Sequence, residues 1–438
     1  MSFPRYPRYK DSGVEWLGQV PEHWEVKRLK YNLRLLTEKT ERRDNPVALE
    51  NIEGWTGRFI PTETEFQGDG IAFDADDILF GKLRPYLAKA YRAESSGEAV
   101  GDFHVMRPVA GIDSRFAQYQ ILNREFIAIV DGSTFGSKMP RASWEFVSGM
   151  KVTTPPAAEQ TAIAAFLDRE TGKIDELVAE QRRLMELLKE KRQAVISHAV
   201  TRGLNPTAPL QPSGIEWLGD VPKHWTVATV RRVVHRIEQG WSPDCFGRPA
   251  EPDEWGVVKS GCVNRGVFVE QENKALPSTL EPMPEYEIRA GDVLMSRASG
   301  SPELVGSTAY ITATRPKLML SDKTFRIHPE SHIDRRFFVA VFNSRVMRSQ
   351  IERAISGADG LANNLPQSAM KSFFCVVPPL AEQRAIVAHL DTELAKFDTL
   401  TAEAQRAIDL LQERRTALIS AAVTGQIDVR PLLPKEAA

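Results

Sequence analysis

The chain has 438 residues, of which 42% are hydrophobic and 26% charged. This composition excludes a disordered or fibrous chain, and the length predicts more than one domain. With 56 Lys and Arg residues against 58 Asp and Glu residues, the net charge of −2 gives no overall basic field that would indicate a nucleic-acid-binding protein.

Cysteine content and hydropathy both bear on the cellular setting. The three cysteines form no CxxC pair, which is typical of a reducing compartment. No apolar segment approaches the roughly 18 residues needed to cross a bilayer, and the N-terminal segment lacks the apolar core of a signal peptide. We therefore predict a cytoplasmic protein with no membrane partner.

A motif near the start of the chain occurs again in its second half. SGVEWLGQVPEHW at 12–24 and SGIEWLGDVPKHW at 213–225 agree at 10 of 13 positions. The tryptophans, Leu and Val are apolar anchors, Gly and Pro break the backbone, and the histidine is placed to cap the turn. We interpret the motif, called the brace below, as a packing element at the base of a domain.

Each brace is followed by a segment with the pattern of a mixed α/β domain. In the first half DDILFGKLRPYLAKAY and EAVGDFHVMRP predict strands, and DSRFAQYQILNREFIAIV predicts helices. In the second half WGVVKSGCVNRGVFV and GDVLMSRASG predict strands, and DRRFFVAVFNSRVMRSQIERAI predicts helices in the matching order. The two segments share a plan but not a sequence.

A second motif follows each α/β segment. PPAAEQTAIAAFLD at 155–168 and PPLAEQRAIVAHLD at 378–391 agree at 10 of 14 positions. Each begins a stretch with apolar residues at alternating steps of four and three, which predicts a long helix that packs along a seam. At 1.5 Å per residue the first helix spans about 63 Å and needs a partner, which the other copy supplies. We predict that the helices pair within the chain and that Gly203 and Gly425 end them.

The seam is predicted at positions related by an offset of 223 residues. In the first helix these are Ile163, Leu167, Glu170, Ile174, Leu177, Gln181, Leu184, Leu188, Lys191 and Val195. In the second helix they are Ile386, Leu390, Glu393, Phe397, Leu400, Ala404, Ala407, Leu411, Arg414 and Leu418.

These patterns predict the domain organisation. The segments are a first α/β domain at 1–155, a long helix at 156–203, a linker with a second α/β domain at 204–377, and a second long helix with a tail at 378–438. The predicted fold class is α/β (α+β), with two mixed α/β domains separated by two long antiparallel helices and an internal pseudo-twofold repeat.

The order of brace, variable α/β domain, PPxAEQ motif and long helix, present twice, resembles the HsdS-type specificity (S) subunit of type I restriction-modification systems. VPPLAEQRAIVAHLD and SGxEWLGxVPxHW carry the resemblance over nearly the whole chain, and DILFGKLRPYLAK and GDVLMSRASGS look like strands of that family. The resemblance implies that each α/β domain is a target recognition domain that reads one half of a bipartite, asymmetric sequence in double-stranded DNA. It also implies that the paired helices set the spacing of the half-sites and dock two modification (methyltransferase) subunits.

The resemblance further implies a non-catalytic subunit that directs methylation and restriction by its partners, including restriction and translocase subunits in the full complex. The sequence has no Walker motif, and neither Asn45-Pro46 nor Asn205-Pro206 continues as a methyltransferase loop. We therefore expect that this chain binds no cofactor or metal, and that S-adenosylmethionine, ATP and Mg²⁺ belong to the partner subunits.

Polar loops of the α/β domains offer candidate base-reading residues. Arg and Lys suit guanine, and Asn and Gln suit adenine, because their donors and acceptors match those base edges. The candidates are Lys82, Arg84, Lys138 and Arg141 in the first domain, and Lys259, Asn264, Arg265, Arg297, Ser299, Asn363, Asn364 and Gln367 in the second. For each of them a phosphate contact or plain surface exposure is an open alternative.

Three other features of the sequence allow alternative interpretations. Glu159 and Glu382 are interpreted as first-turn helix caps, with a subunit contact as the alternative. Asp244, Glu272 and Lys274 follow the order of a nuclease metal site, although the first domain has no equivalent, so a stand-alone nuclease is one alternative function. A coiled-coil scaffold with protein-binding heads is the other.

Overall fold

The computed structural model describes residues 3–41, 44–62, 68–134, 139–355 and 363–432. The chain forms two compact units, unit 1 with Met1–Arg182 and Ala404–Ala438, and unit 2 with Arg183–Glu403. Each unit holds one α/β domain and about half of each long helix. The predicted limits of the four segments stay a prediction, because the boundaries of the compact units fall inside the helices.

Unit 1 begins with the first brace. Its strands are β1 (Tyr9–Asp11), β2 (Gln19–Pro21), β3 (Glu25–Arg28), β4 (Leu33–Leu36), β5 (Lys39–Thr40), β6 (Pro46–Val47), β7 (Gly70–Phe73), β8 (Ile78–Gly81), β9 (Ala90–Arg92), β10 (Gly97–Val100), β11 (Phe103–Pro108) and β12 (Lys151–Thr154). Its helices are α1 (Ser114–Ile121), α2 (Arg124–Gly132), α3 (Trp144–Gly149) and the first part of α4 (Ala157–Arg202).

Two four-stranded sheets form the first α/β domain. One has the order β4-β11-β8-β9 with antiparallel neighbours, and the other has the order β5-β7-β10-β6. The side chains of Phe80 on β8 and Phe126 on α2 are fully buried, with ring centroids 6.5 Å apart. Asp113 and Asn123 start α1 and α2, because each carboxylate or amide oxygen accepts from two amides of the first turn.

Unit 2 repeats this order of elements. Its strands are β13 (Leu210–Pro212), β14 (Asp220–Pro222), β15 (Thr226–Thr229), β16 (Val234–Gln239), β17 (Gly256–Val258), β18 (Asn273–Ala275), β19 (Val293–Ser296), β20 (Ala298–Ser299), β21 (Thr308–Tyr310), β22 (Leu318–Met319), β23 (Thr324–Pro329), β24 (Asn363–Asn364) and β25 (Phe374–Val377). Its helices are α5 (Val230–Val233), α6 (Arg335–Phe342), α7 (Arg345–Ala354), α8 (Gln367–Ser372) and the first part of α9 (Leu380–Val423).

The main sheet of unit 2 has the order β16-β23-β19-β21, which matches β4-β11-β8-β9 strand for strand. A smaller sheet of order β18-β17-β22 lies beside it in the same domain. The predicted mixed α/β class and the internal repeat are therefore confirmed.

The long helices α4 and α9 pack together, as predicted. In unit 1, Leu167 of α4 shares a buried cluster with Leu418 of α9. In unit 2, Ile196 of α4 shares a cluster with Leu390 of α9. Rising residue numbers on one helix therefore face falling numbers on the other, which makes the pair antiparallel. None of the described helices is apolar over enough of its length to cross a membrane.

The predicted seam is right at every second position and wrong by one residue at most of the others. On α4, Ile174 and Leu188 are buried as predicted, but Leu177 is 45% exposed and Leu184 is 42% exposed. The buried residue next to Leu177 is Val178, which is only 7% exposed. Leucine therefore marks the seam at 188 but lies beside it at 177 and 184.

The same slip occurs on α9. Phe397 and Ala404 are buried as predicted, whereas Leu400 is 44% exposed and the seam passes through Ile408, one residue after the predicted Ala407. The reason is visible on α4, where the buried positions advance by four residues twice, from Ile163 to Leu167 and on to Thr171, before they alternate between steps of three and four. The predicted pattern took a step of three after Leu167, so every second position after it falls one residue too early.

Candidate nucleic-acid interface

The last two residues of each brace are bonded to the glutamate of the PPxAEQ motif. Trp24 donates from Nε1 to Oε2 of Glu159 at 3.0 Å, and Nε2 of His23 lies 2.6 Å from Oε1 of the same carboxylate. In unit 2, Trp225 donates to Glu382 at 2.9 Å, and His224 lies 2.7 Å from it. The two repeated motifs therefore meet in space.

This contact adds to one sequence expectation and corrects another. Glu159 and Glu382 lie in the first turns of their helices, as expected, and their carboxylates also accept from brace side chains. The histidines were expected to cap a turn within the brace, and instead each contacts the glutamate. In unit 1 the phenol of Tyr6 also donates to Glu159, at 3.1 Å.

The glutamine of each PPxAEQ motif joins the long helix to the first helix of its α/β domain. Oε1 of Gln160 accepts from the amide of Asp113 at 3.0 Å, and Oε1 of Gln383 accepts from the amide of Asp334 at 2.8 Å. Asp113 and Asp334 are the N-cap residues of α1 and α6. Each glutamine thus fixes the point at which a domain helix begins.

The aspartate that closes the second motif makes a further link. Asp168 pairs with Arg115 of α1 at 3.2 Å, and Asp391 pairs with Arg336 of α6 through two bonds of 2.9 and 2.6 Å. The identical Glu, Gln and Asp of the motif therefore all connect a long helix to its α/β domain. This frame explains why the two motifs are repeated while the segments between them differ.

Each long helix also ends against a brace. Gly203 follows α4 with φ +74°, and a Cβ there would lie 3.0 Å from the ring of Trp225. Gly425 lies just beyond α9 with φ +76°, and a Cβ there would overlap Pro21 and approach Trp24. Both positions therefore require glycine for its left-handed conformation and its small size.

Three of the four candidate residues of the first domain come together at one strand bridge. Leu83 pairs with Arg141, the amide of Ala142 donates to the carbonyl of Lys82 at 2.9 Å, and the amide of Arg84 donates to that of Pro140 at 2.9 Å. Lys138 lies outside the described residues. The segment at 82–88 and the segment at 139–142 thus form one polar rim at the end of β8.

Asp102 lies at the centre of this rim, and sequence reasoning missed it. Its carboxylate accepts from Nε of Arg141 at 3.1 Å and from Nη2 at 2.9 Å, and Nζ of Lys82 lies 3.8 Å away. Only the turn pattern of VGDFHV could have drawn attention to this residue, since its partners are far away in the sequence.

The loop of this rim has an unusual backbone and is closely packed. Arg84 and Ala88 are left-handed, with φ of 50° and 48°, and enclose a 3₁₀ helix at Pro85–Leu87. A Cβ on Gly54 would collide with the carbonyl of Leu87, so the loop packs closely on the domain. Non-glycine residues rarely adopt this backbone, and such strain is often found at functional sites. The loop holds Tyr86 outward, 46% exposed.

In the second domain, three of the predicted residues lie on the short ladder formed by β20 and β24. Ser299 is paired with Asn363, and Ala298 is paired with Asn364. Asn363 donates from Nδ2 to the carbonyl of Gly300 at 3.3 Å, which orients its amide. The ladder is the counterpart of the Leu83–Arg141 bridge in unit 1.

Two more predicted residues flank this ladder. Arg297 precedes it, donates from Nη1 to the carbonyl of Asp322 at 3.1 Å and lies over the ring of Phe325. Gln367 is the first residue of α8, shortly after β24. The polar side chains of 297–299 and 363–367 thus share one edge of the domain.

The remaining candidates are Lys259, which precedes a 3₁₀ segment at Ser260–Gly266, and two residues of that segment, which lies beside β19, β20 and β21. Asn264 and Arg265 form its turn, where Arg265 is left-handed with φ 59°. Nζ of Lys259 lies 3.5 Å from Oε2 of Glu272. Glu272, the glutamate of the nuclease-like pattern, is therefore paired with a lysine. Within the described part of the chain no cluster of three His, Cys, Asp or Glu side chains could hold a metal ion.

No family model matches the chain. It is 31% identical over 241 residues to the EcoEI type I restriction enzyme specificity subunit of Escherichia coli, a match that covers 54% of this chain and 40% of that protein. It is 22% identical over 334 residues to the EcoKI specificity subunit of E. coli K12, with 74% and 68% covered. A third relative is the MjaVIII specificity subunit of Methanocaldococcus jannaschii, 21% identical over 447 residues, with 94% and 95% covered.

A solved structure shares the fold. A chain from work on complex assembly and conformational transition of the type I R-M system superposes with a TM-score of 0.66 at 17% identity, covering 92% of this chain and 98% of that one. The likeness extends over the α/β domains and the long helices together.

Proposed function

We propose that this chain reads DNA as the specificity subunit of a type I restriction-modification system. Its repeated motifs, its relatives and its fold support this role. Each unit reads one half of a bipartite target in double-stranded DNA. Because the two α/β domains carry different side chains on the same frame, the two half-sites differ and the target is asymmetric.

The observation that carries this proposal is the convergence of polar residues in each unit. Residues 82–84 and 139–142 meet in unit 1, and residues 297–299 and 363–367 meet in unit 2. Base reading requires several directional side chains on one rigid rim, and strand bridges provide that rigidity. The contacts that join each α/β domain to its long helix are made by the repeated Glu, Gln and Asp residues, which do not vary between the units.

Modification subunits dock, in this proposal, on apolar side chains that the helix pair leaves exposed. In unit 1 these are Leu177, 45% exposed, and Leu410, 59% exposed. In unit 2 they are Leu187, 52% exposed, Leu400, 44% exposed, and Leu184, 42% exposed, which has Ala407 as its counterpart in unit 1. The offset of 223 residues relates Leu177 to Leu400 and Leu187 to Leu410, so each unit offers the same pair of leucines to one copy of the same partner.

The chain itself catalyses nothing in this proposal. It directs methylation and restriction by partner subunits, which bind S-adenosylmethionine, ATP and Mg²⁺, and restriction or translocase subunits join the full complex. The net charge of −2 is close to neutral, which agrees with partner subunits that supply much of the electrostatic attraction to the DNA phosphates. The number of helical residues in α4 and α9 sets the gap between the half-sites.

A map of modified bases tests the proposal. Long-read sequencing is applied to cells that carry the cognate modification subunit with and without the gene for this chain. We expect a split, asymmetric methylated motif only in cells with the gene. Identical maps in both strains would contradict the DNA-reading role and favour a scaffold with protein-binding heads.

A further inference from the structure

The two reading rims correspond residue by residue, because their backbones make the same hydrogen bonds. The amide of Lys82 donates to the carbonyl of Asp102 at 2.9 Å, and the amide of Arg297 donates to that of Lys323 at 2.8 Å. Lys82 is therefore equivalent to Arg297. By the same bond, Asp102 is equivalent to Lys323, although their side chains have opposite charge.

The second strand of each rim provides a third equivalent position. The amide of Ala142 donates to the carbonyl of Lys82, and the amide of Leu365 donates to that of Arg297, both at 2.9 Å. The residue before each of these amides, Arg141 or Asn364, pairs with the strand that carries Lys82 or Arg297. Arg141 is thus equivalent to Asn364.

At these three positions unit 1 carries Lys, Asp and Arg, and unit 2 carries Arg, Lys and Asn. An arginine fork suits the O6 and N7 acceptors of guanine, whereas an asparagine amide suits the N6 donor and N7 acceptor of adenine. Arg141 and Asn364 occupy the same backbone position, and their side chains therefore suit guanine in unit 1 and adenine in unit 2.

The contact with Asp102 orients Arg141 for this task. The carboxylate takes the side edge of the guanidinium, formed by Nε and Nη2. Among the residues that the structure describes, nothing contacts the end edge, formed by Nη1 and the second hydrogen of Nη2, which leaves it for a bidentate contact. The side chain of Arg141 is 51% exposed while that of Asp102 is only 23% exposed, so the anchor is sheltered and the fork faces solvent.

We infer that Asp102 is a positioning residue that holds Arg141 to read a guanine in the first half-site, and that Asn364 reads an adenine at the equivalent place in the second. This inference rests on the proposed function and names the base specificity of one position in each unit. Lys323 does not provide the carboxylate anchor, so the second unit cannot read guanine in the same way.

The test measures base preference in the assembled complex. The modification complex, with its full-length specificity chain, methylates a DNA library in which every position of the mapped motif is varied. We expect Arg141→Lys, which keeps the charge but loses the fork, to lower the preference for guanine at one position of the first half-site about tenfold or more. Asp102→Asn lowers the preference at that same position, and Asn364→Ala lowers the preference for adenine in the second half-site.

The control is Lys323→Asn, which changes the equivalent position of unit 2 and leaves the first half-site unaltered. If Arg141→Lys and Asp102→Asn reduce methylation equally on all library members, Arg141 contacts phosphate and the inference is wrong while the proposed function stands. If the unaltered complex shows no motif that depends on this chain, the proposed function itself fails. Should Asp102→Asn not fold, Arg141→Lys and Asn364→Ala decide the question, because both retain Asp102.

Discussion

The indole of Trp24 and the carboxylate of Glu159 form a buried hydrogen bond of 3.0 Å, with Trp24 0% and Glu159 9% exposed. They lie 135 residues apart in the sequence, and each belongs to a motif that occurs twice. A buried carboxylate is stable only when its oxygens accept hydrogen bonds, and here the brace supplies them. The bond therefore links the start of α4 to the N-terminal segment of the chain.

Replacing Glu159 tests the strength of this link. Glu159→Ala leaves the indole and the phenol of Tyr6 without their acceptor in a buried site, so we expect unit 1 to lose roughly 2 to 3 kcal/mol of unfolding free energy. The matched variant is Glu382→Ala in unit 2, where the side chain is 42% exposed and water can replace the acceptor. Chemical denaturation should show the smaller loss for Glu382→Ala, and equal losses would contradict the role of burial.

The two glycines that follow the long helices should differ in how well they tolerate replacement by alanine. Gly425→Ala adds a Cβ that overlaps Pro21, on top of a cost of about 1 to 2 kcal/mol for a left-handed residue. Gly203→Ala has the same backbone cost, but its Cβ would only touch the Trp225 ring, at 3.0 Å. We expect Gly425→Ala to lower the unfolding temperature more than Gly203→Ala, and the reverse order in calorimetry would refute the packing described for Pro21.

His104 should make the first rim sensitive to acid. Burial lowers the pKa of this histidine below its ordinary value of 6.5, and its Nε2 donates to the carbonyl of Ala142 at 3.0 Å. As pH falls, His104 is protonated in the unfolded chain before it is protonated in the folded one. The free energy of unfolding therefore has its full value above about pH 6.5 and declines below it. Hydrogen exchange of the Ala142 amide, which follows Arg141, reports this decline. A His104→Gln variant should lose the pH dependence, and a variant that retains it would exclude His104 as the cause.

Exposed leucines should matter for assembly and not for the fold of the chain itself. Leu187→Arg places a charge on the proposed docking surface of unit 2, and we expect binding of the modification subunit there to weaken about tenfold or more. The control is Glu186→Arg, which adds the same side chain at the adjacent exposed position, 72% exposed. Analytical ultracentrifugation of the purified components measures the effect, and intact assembly of Leu187→Arg would place the partner elsewhere.

Sequence reasoning located the elements that have strong local signals. The two PPxAEQ motifs predicted helices from 156–203 and from 378 onward, and the structure has Ala157–Arg202 and Leu380–Val423. Proline pairs and glycines determine these ends locally, since they limit backbone conformation. Lys82, Arg84 and Arg141 could be chosen as candidates because they lie in polar loops next to predicted strands, but their clustering could not be predicted, because it joins two loops far apart in the sequence. Their role in DNA reading stays a prediction.

What sequence reasoning missed depends on contacts between distant residues. Leu177 and Leu400 are apolar yet exposed, and a 4-3 pattern alone does not distinguish a seam residue from one beside it. The anchoring of Arg141 by Asp102 joins residues 39 apart through the pairing of three strands. Neither of these facts is encoded in a local window.

The division of the long helices between the units has a consequence for synthesis of the protein. Unit 2 is one continuous stretch, Arg183–Glu403, and contains everything its core needs. The core around Trp24 and Leu167 instead requires Leu418 and Ile419, which leave the ribosome some 250 residues later. At about 5 to 20 residues per second, this core waits roughly 12 to 50 seconds for its other side. The junction between the first brace and α4 is therefore completed after the two sheet cores of unit 1, which lie within residues 29–152, and chaperones have longer to act on it than on the core of unit 2.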